Sequence, residues 1–190
     1  MDGTASPSAH VTSERHRFTV DDVLRMIASG ILPEKARVVL RDGELIDMPS
    51  EGARHSNVKS DLIQLVSAQS YGKYRVGADT PLRLSDHEWP EPDLFVLPQS
   101  IRPAEARGAD TLLVVEVADT SLKDDLGDNA VLYARHGVRE YWVLDLANGV
   151  THVHALKSDG SFAAPRIAPA GERLSATFAT GVTVRLSDIL

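Results

Sequence analysis

The chain has 190 residues, and 20 lysines and arginines against 27 aspartates and glutamates leave a net charge of −7 with histidine neutral. That length fits one ordinary domain, and 43% hydrophobic with 25% charged residues excludes wholesale disorder and fibrous folds. The absence of cysteine excludes disulfides, a thiol nucleophile and thiolate-held metals, so any metal must be held by oxygen or imidazole.

No apolar run approaches the roughly 18 to 20 residues of a spanning helix, and the start of the chain lacks the charged-then-apolar order of a secretory signal. The expected address is therefore cytoplasmic, with no membrane. The acidic balance argues against a protein that coats nucleic acid nonspecifically. It leaves room for a carboxylate-lined site that reaches phosphate through a divalent cation.

Residues 1 to about 16 are small, polar and aperiodic, which predicts a loose tail before a single domain over 17–190. From Phe18 to Ser29, Thr19 is placed to cap a short helix, with Asp21 and Asp22 in its first turn and Gly30 ending it. Arg37 to Met48 alternates around Asp42-Gly43, a hairpin signal. Val58, Leu62, Leu65 and Val66 then recur at helical spacing between about Ala53 and Ser70. Strands are expected at Tyr74–Val76 continuing to Pro81–Leu84, at Leu94–Leu97 and at Leu112–Val117, the last two apolar enough to be covered on both faces. A second amphipathic helix is expected from about Asp124 to Arg135, stopped by Gly137, and Tyr141 to Leu144 is another buried strand. Short strands divided by Asp159-Gly160, Ala170-Gly171 and Thr180-Gly181 follow. The expected fold class is α/β (α+β): a mixed sheet flanked by helices, with an N-terminal hairpin and a C-terminal antiparallel extension.

Two carboxylates stand out. Asp93 follows Pro92 at the entrance of one apolar strand, and Glu116 lies near the end of Leu112-Leu113-Val114-Val115-Glu116-Val117. An ionised carboxylate in such a run is costly unless it is paired, hydrogen-bonded or bound to a cation. Glu116 alone reads as a strand-end residue turned outward or facing an arginine. Two such acids on neighbouring strands tilt towards hard oxygen ligands for magnesium.

Pro92-Asp93, 22 intervening residues, then Glu116-Val117 on an apolar strand resembles the PD-(D/E)XK nuclease superfamily. Gly43-Glu44-Leu45-Ile46-Asp47-Met48-Pro49, then His55, Pro92-Asp93-Leu94, Val115-Glu116-Val117, and Tyr133 followed by Gly137-Val138-Arg139-Glu140-Tyr141-Trp142-Val143-Leu144-Asp145 are similar to the Uma-type restriction endonuclease family of that superfamily. The resemblance runs from about Phe18 to the end of the chain. It implies a restriction-endonuclease-like core and a DNA endonuclease that uses Mg2+, with Mn2+ as a substitute. It also implies Asp93 and Glu116 as metal ligands, Glu44 as a third acid near the metal, and the backbone carbonyl of Val117 facing the ion. A homodimer follows as an expectation for an enzyme that cuts both strands.

The sequence departs from the pattern at the lysine that would orient or deprotonate the attacking water. The third position of Glu116-Val117-Ala118 is alanine, and four residues before Tyr133, where the resembling family carries its lysine, stands Asn129. Asp125, Asn129 and Tyr133 fall at i, i+4 and i+8 on one helix face. Lys123 is the nearest substitute, although a solvated lysine beside Asp124 is the more economical reading. The alternative to an active nuclease is a catalytically degenerate protein of the same fold that binds nucleic acid or a protein.

His55 stands at the start of the long helix, either near the site or simply on the surface. His152 and His154 share one face of a strand at metal-ligand spacing, but no third ligand follows, so an exposed strand face is expected. Asp124, Asp125 and Asp128 read as helix N-terminal acids, and Tyr133, Tyr141 and Trp142 as core aromatics. Local basic pairs, Arg54 with Lys59, Arg102 with Arg107, and Arg135 with Arg139, are the candidate contacts for DNA, with a solvated surface as the bland reading of each.

Overall fold

The computed structural model describes residues 15–190, so the expected tail lies almost wholly outside the described residues. Helix α1 (Val20–Ala28) is capped by Thr19, whose side chain accepts from the Asp22 N–H while the Asp22 carboxylate accepts from the Thr19 N–H. This reciprocal pair satisfies two orphan donors. Strands β1 (Val38–Arg41) and β2 (Glu44–Asp47) form the expected hairpin, with Asp42 at φ 50° and Gly43 at φ 77°. Positive φ at both central residues matches the twist of the flanking strands. Val20 and Val23 of α1 close against Val38 and Leu40 of β1, a small core apart from the main sheet.

Helix α2 (Ala53–Ser70) spans the expected residues and buries Val58, Leu62 and Val66. The central sheet has six strands in the order β3-β4-β5-β6-β7-β8. These are β3 (Tyr74–Ala78), β4 (Leu94–Pro98), β5 (Leu113–Ala118), β6 (Glu140–Asp145), β7 (Val150–Ala155) and β8 (Arg166–Pro169). All neighbours are antiparallel except β5 and β6, which run parallel. A parallel pair needs a crossover, and here it is a helical segment. That segment begins earlier than the sequence indicates, with α3 (Leu122–Asp124), passes through a π-helical turn at Asp125–Asn129, and ends as α4 (Ala130–Arg135). The expected strand at Pro81–Leu84 is not formed. Asp79 turns to φ 46° and ends β3, and Leu82 and Leu84 instead bond across a loop to the carbonyls of Pro90 and Glu88.

Alternation along β4 and β5 divides the core between the two faces. Leu94, Val96, Leu113, Val115 and Val117 face α2 and the last strands, β9 (Arg173–Ser175) and β10 (Thr183–Arg185). Phe95, Leu97 and Val114 face Tyr133 of α4 with Tyr141 and Val143 of β6. The C-terminal segment is fastened to the sheet by Glu140, which accepts from Trp142 Nε1 at 2.9 Å and from the Thr177 N–H at 2.7 Å.

Candidate active site

In the β4–β5 register Leu94 lies opposite Val115, and one step further along the same pairing brings Asp93 opposite Glu116. Both belong to the parity of Phe95 and Val114, the face covered by the helical crossover. The backbone N–H of Asp93 donates to Glu116 Oε2 at 3.0 Å, and the Val117 N–H donates to Asp93 Oδ2 at 2.7 Å. Tyr133, buried on α4, donates its hydroxyl to Glu116 Oε1 at 2.8 Å. These contacts fix the rotamers of both carboxylates.

The carboxylates sit at the floor of a cleft of about 930 Å3 between the β1–β2 hairpin, the start of α2 and the helical crossover. Burial, with the charges of Asp93 and Asp125 adding to it, holds the Glu116 carboxyl well above the usual range. Without a cation the pair resists holding two negative charges.

Helix α2 supplies two further groups. His55 Nε2 is 2.9 Å from Asp93 Oδ1, and this hydrogen bond raises the imidazole's affinity for a proton against the opposing effect of burial. One turn on, Lys59 is only 9% exposed and places Nζ 2.7 Å from Glu51, 2.6 Å from Asp79 and 3.8 Å from Asp93. Burial works to discharge the ammonium, but hydrogen bonds to Asp79 and Glu51 outweigh it and hold the lysine charged. Ligand atoms of Glu51, His55 and Asp93 lie within 4.8 Å of one another.

On the opposite wall, Ser121 Oγ donates to Asp125 Oδ2 at 2.5 Å and Asn129 Nδ2 donates to Asp125 Oδ1 at 2.8 Å. Asn129 Oδ1 in turn accepts from Arg41 Nη2 of β1 at 2.6 Å. Asp125 is buried, and burial pushes its carboxyl up against these two hydrogen bonds. The Tyr133 phenol is pushed well up by burial and then by Glu116, with the Arg41 charge acting the other way.

The structure thus brings Asp93, Glu116, Asn129, Tyr133 and His55 together, with the Val117 backbone beside them. It does not bring Glu44, which is exposed on β2, directed to Arg15 at 2.9 Å and absent from the cleft lining. Nor does it bring Lys123, which is exposed and also outside the lining. The expected surface pair of Arg54 and Lys59 is not formed, because Lys59 is buried among carboxylates while Arg54 donates to the Leu146 carbonyl. Asp125 is a buried member of the site rather than only a helix-end acid. The expected exposed face at His152 and His154 is covered. His154 is buried, its ring tilted against Tyr141 and Phe162, and His152 lies 3.5 Å from Asp145.

Arg41, Glu51 and Lys59 join the site without having been marked as its members by the sequence, Arg41 with no local signal at all. For Glu51 and Lys59 the signal is the four-residue spacing of Glu51, His55 and Lys59, which places them on one side as a helix begins.

The donor set, mainly carboxylate oxygens, suits a hard divalent cation such as magnesium or manganese. Asp93 is common to both groupings, the Asp93–Glu116 pair and the Glu51–His55–Asp93 cluster. Among the described residues, no helix is long and apolar enough to cross a membrane.

No curated protein matches the chain. Among solved structures it is similar to one described as a "putative nuclease belonging to DUF820 from Anabaena variabilis ATCC 29413", with a TM-score of 0.70 and 16% identity over 90% of this chain and 97% of that chain. That likeness places the fold. The family profile described as "Uma2: Putative restriction endonuclease" matches residues 20–187, and with the match covering nearly the whole length, the chain belongs to the Uma2 family.

Proposed function

We propose that this protein is a divalent-metal-dependent endonuclease that hydrolyses phosphodiester bonds in DNA, with Asp93 and Glu116 holding Mg2+ or Mn2+. The observation that carries the reading is the interlocked carboxylate pair at the floor of the cleft, one member of which is buried and resists ionisation unless a cation is beside it. Family membership and the fold likeness point the same way.

A bound divalent ion would polarise the scissile phosphate and make water acidic enough to attack. The protein's own groups do the positioning. Asp93 and Glu116 would hold the ion, with the Val117 carbonyl and the Glu51 carboxylate as further donors. Tyr133 keeps Glu116 Oε1 in place, and His55 Nε2 keeps Asp93 Oδ1 in place. Asn129 cannot accept the water's proton near neutral pH, so no side chain at that position acts as general base. A homodimer would carry two such sites about a two-fold axis, as cutting both strands requires.

Incubation of supercoiled plasmid with the full chain and magnesium tests the reading. Nicking that is lost in Asp93→Ala and in EDTA is expected. Nicking that persists in Asp93→Ala would remove this site from the chemistry. A second reading, a binding module that has lost catalysis, is favoured by Asn129 at the lysine's place; it predicts that wild type binds duplex DNA and leaves it intact with every divalent ion.

A further inference from the structure

The position at which the Uma-type pattern carries a lysine holds an amide, yet the site is not without a cation on that wall. We propose that Arg41, reaching across from the β1–β2 hairpin, supplies the positive charge to the phosphate that a lysine at position 129 would have supplied, and that Asn129 is its positioning residue. The proposal rests on the nuclease reading of the same cleft.

Three observations carry it. The first is a directional chain of hydrogen bonds. Asp125 accepts from both Ser121 and Asn129, and a guanidinium can only donate, so the Asn129 amide must turn its carbonyl to Arg41 and its NH2 to Asp125. The amide is held as an acceptor for a guanidinium, at 2.6 Å.

The second is the partner count. Among the described residues no carboxylate lies within ion-pair distance of Arg41, whereas Arg37 and Arg135, which line the same cleft, each have one, Glu51 and Glu88. A half-buried guanidinium fixed by a neutral amide keeps its charge and most of its five donors for an incoming group. Planar, bidentate pairing with a phosphate is what that leaves open.

The third is placement. Arg41 lines the same cleft as Asp93 and Glu116, and through Asn129 it is held against the wall that carries Asp125. Lys59, whose Nζ lies 3.8 Å from Asp93, is already shared by Glu51 and Asp79. A guanidinium does not give up a proton in the working range. It can therefore steady charge on the phosphate but cannot serve as the base.

Cleavage of a fluorescent duplex by the full chain with magnesium, together with metal-free duplex binding by anisotropy at several salt concentrations, tests this. Arg41→Met is expected to lose about 100-fold in kcat, as when one donor to the transition state is removed, and to lower the salt slope of binding by about one phosphate contact. Arg41→Lys should recover part of kcat. Asn129→Ala should lose about tenfold in kcat with the salt slope unchanged, since the charge stays but is no longer aimed. Asn129→Lys should bring less than a twofold gain. Cleavage by Arg41→Met at the wild-type rate, equal losses in Arg41→Met and Arg41→Lys, or a tenfold gain in Asn129→Lys would each overturn the assignment of Arg41 while leaving the nuclease reading intact. A wild-type protein that neither cleaves nor binds duplex DNA with any divalent ion would overturn both.

Discussion

The backbone N–H of Asp93 donates to Glu116 Oε2 while the N–H of Val117 donates to Asp93 Oδ2, so each carboxylate is held by the backbone beside the other. Two adjacent strands converge here on a single charged spot. The pair is expensive to ionise without a cation and well placed to receive one.

Glu116 is where that cost is concentrated. Its folded pKa is raised above the ordinary value of 4.5 by burial and the nearby acids. Such a carboxyl favours folding below pH about 4.5, and this contribution is lost as pH rises through the folded value, so ionised Glu116 strains the metal-free protein at neutral pH. Glu116→Gln keeps an acceptor for the Asp93 N–H. It should raise metal-free stability by about 1 kcal/mol at pH 7, as relief of strain at a functional site does. It should also abolish the thermal shift produced by magnesium. Thermal melts in EDTA and in magnesium check both, and a destabilised variant that still responds to magnesium would contradict the expectation.

His55 has the opposite chemistry. The hydrogen bond to Asp93 raises its folded pKa above 6.5. A base that holds its proton more tightly when folded stabilises fully below its unfolded pKa, and that stabilisation fades as pH rises through the folded value. In EDTA the melting-temperature gap between wild type and His55→Gln should be widest near pH 6 and should close towards pH 9. A gap that widens with pH would refute the pairing.

Lys59 neutralises Glu51 and Asp79 and lies 3.8 Å from Asp93. Removing one partner of a buried charge group leaves the others uncompensated. Asp79 is 60% exposed, so the loss for Lys59→Met should be moderate, about 2–3 kcal/mol by denaturant titration in EDTA. Millimolar magnesium should restore part of it, because a bound ion replaces the missing charge. A loss that magnesium leaves untouched would show that Lys59 acts apart from the metal site.

Much of the fold was legible in the chain because local chemistry and tertiary packing agree there. Thr19 with Asp22, Asp42-Gly43, the spacing of Val58, Leu62 and Val66, and the apolar runs around Phe95 and Val114 each specify one local answer. Asp93 and Glu116 were legible as acids in places where acids are costly. Arg41 was not, because its stem is long and flexible and nothing in its neighbourhood says which way the head will turn; for Lys59 the spacing from His55 gives the side of the helix but not the partners of the head. Only the cleft decides that. The strand past Ala78 failed for the reverse reason: Pro81–Leu84 alternates like a strand, but the left-handed turn at Asp79 had already taken the chain off the sheet.

Two packing details test the fold independently of the chemistry. A Cβ at Gly77 would run into the Phe95 ring directly across β3 and β4, so Gly77→Ala should cost about 2–3 kcal/mol through overpacking. Glu140→Ala would strand the Trp142 indole N–H and the Thr177 N–H, at about 2–4 kcal/mol for two abandoned donors. Chemical denaturation measures both, and neutral effects would place the C-terminal segment or β3 differently.

The central claim is that Asp93 and Glu116 grip one divalent ion. A manganese-soaked crystal examined by anomalous scattering addresses it directly. One peak touching both carboxylates is the predicted result. Their carboxylates bare of any peak, or a peak held instead by the rim acids Asp124 and Asp128, would contradict it.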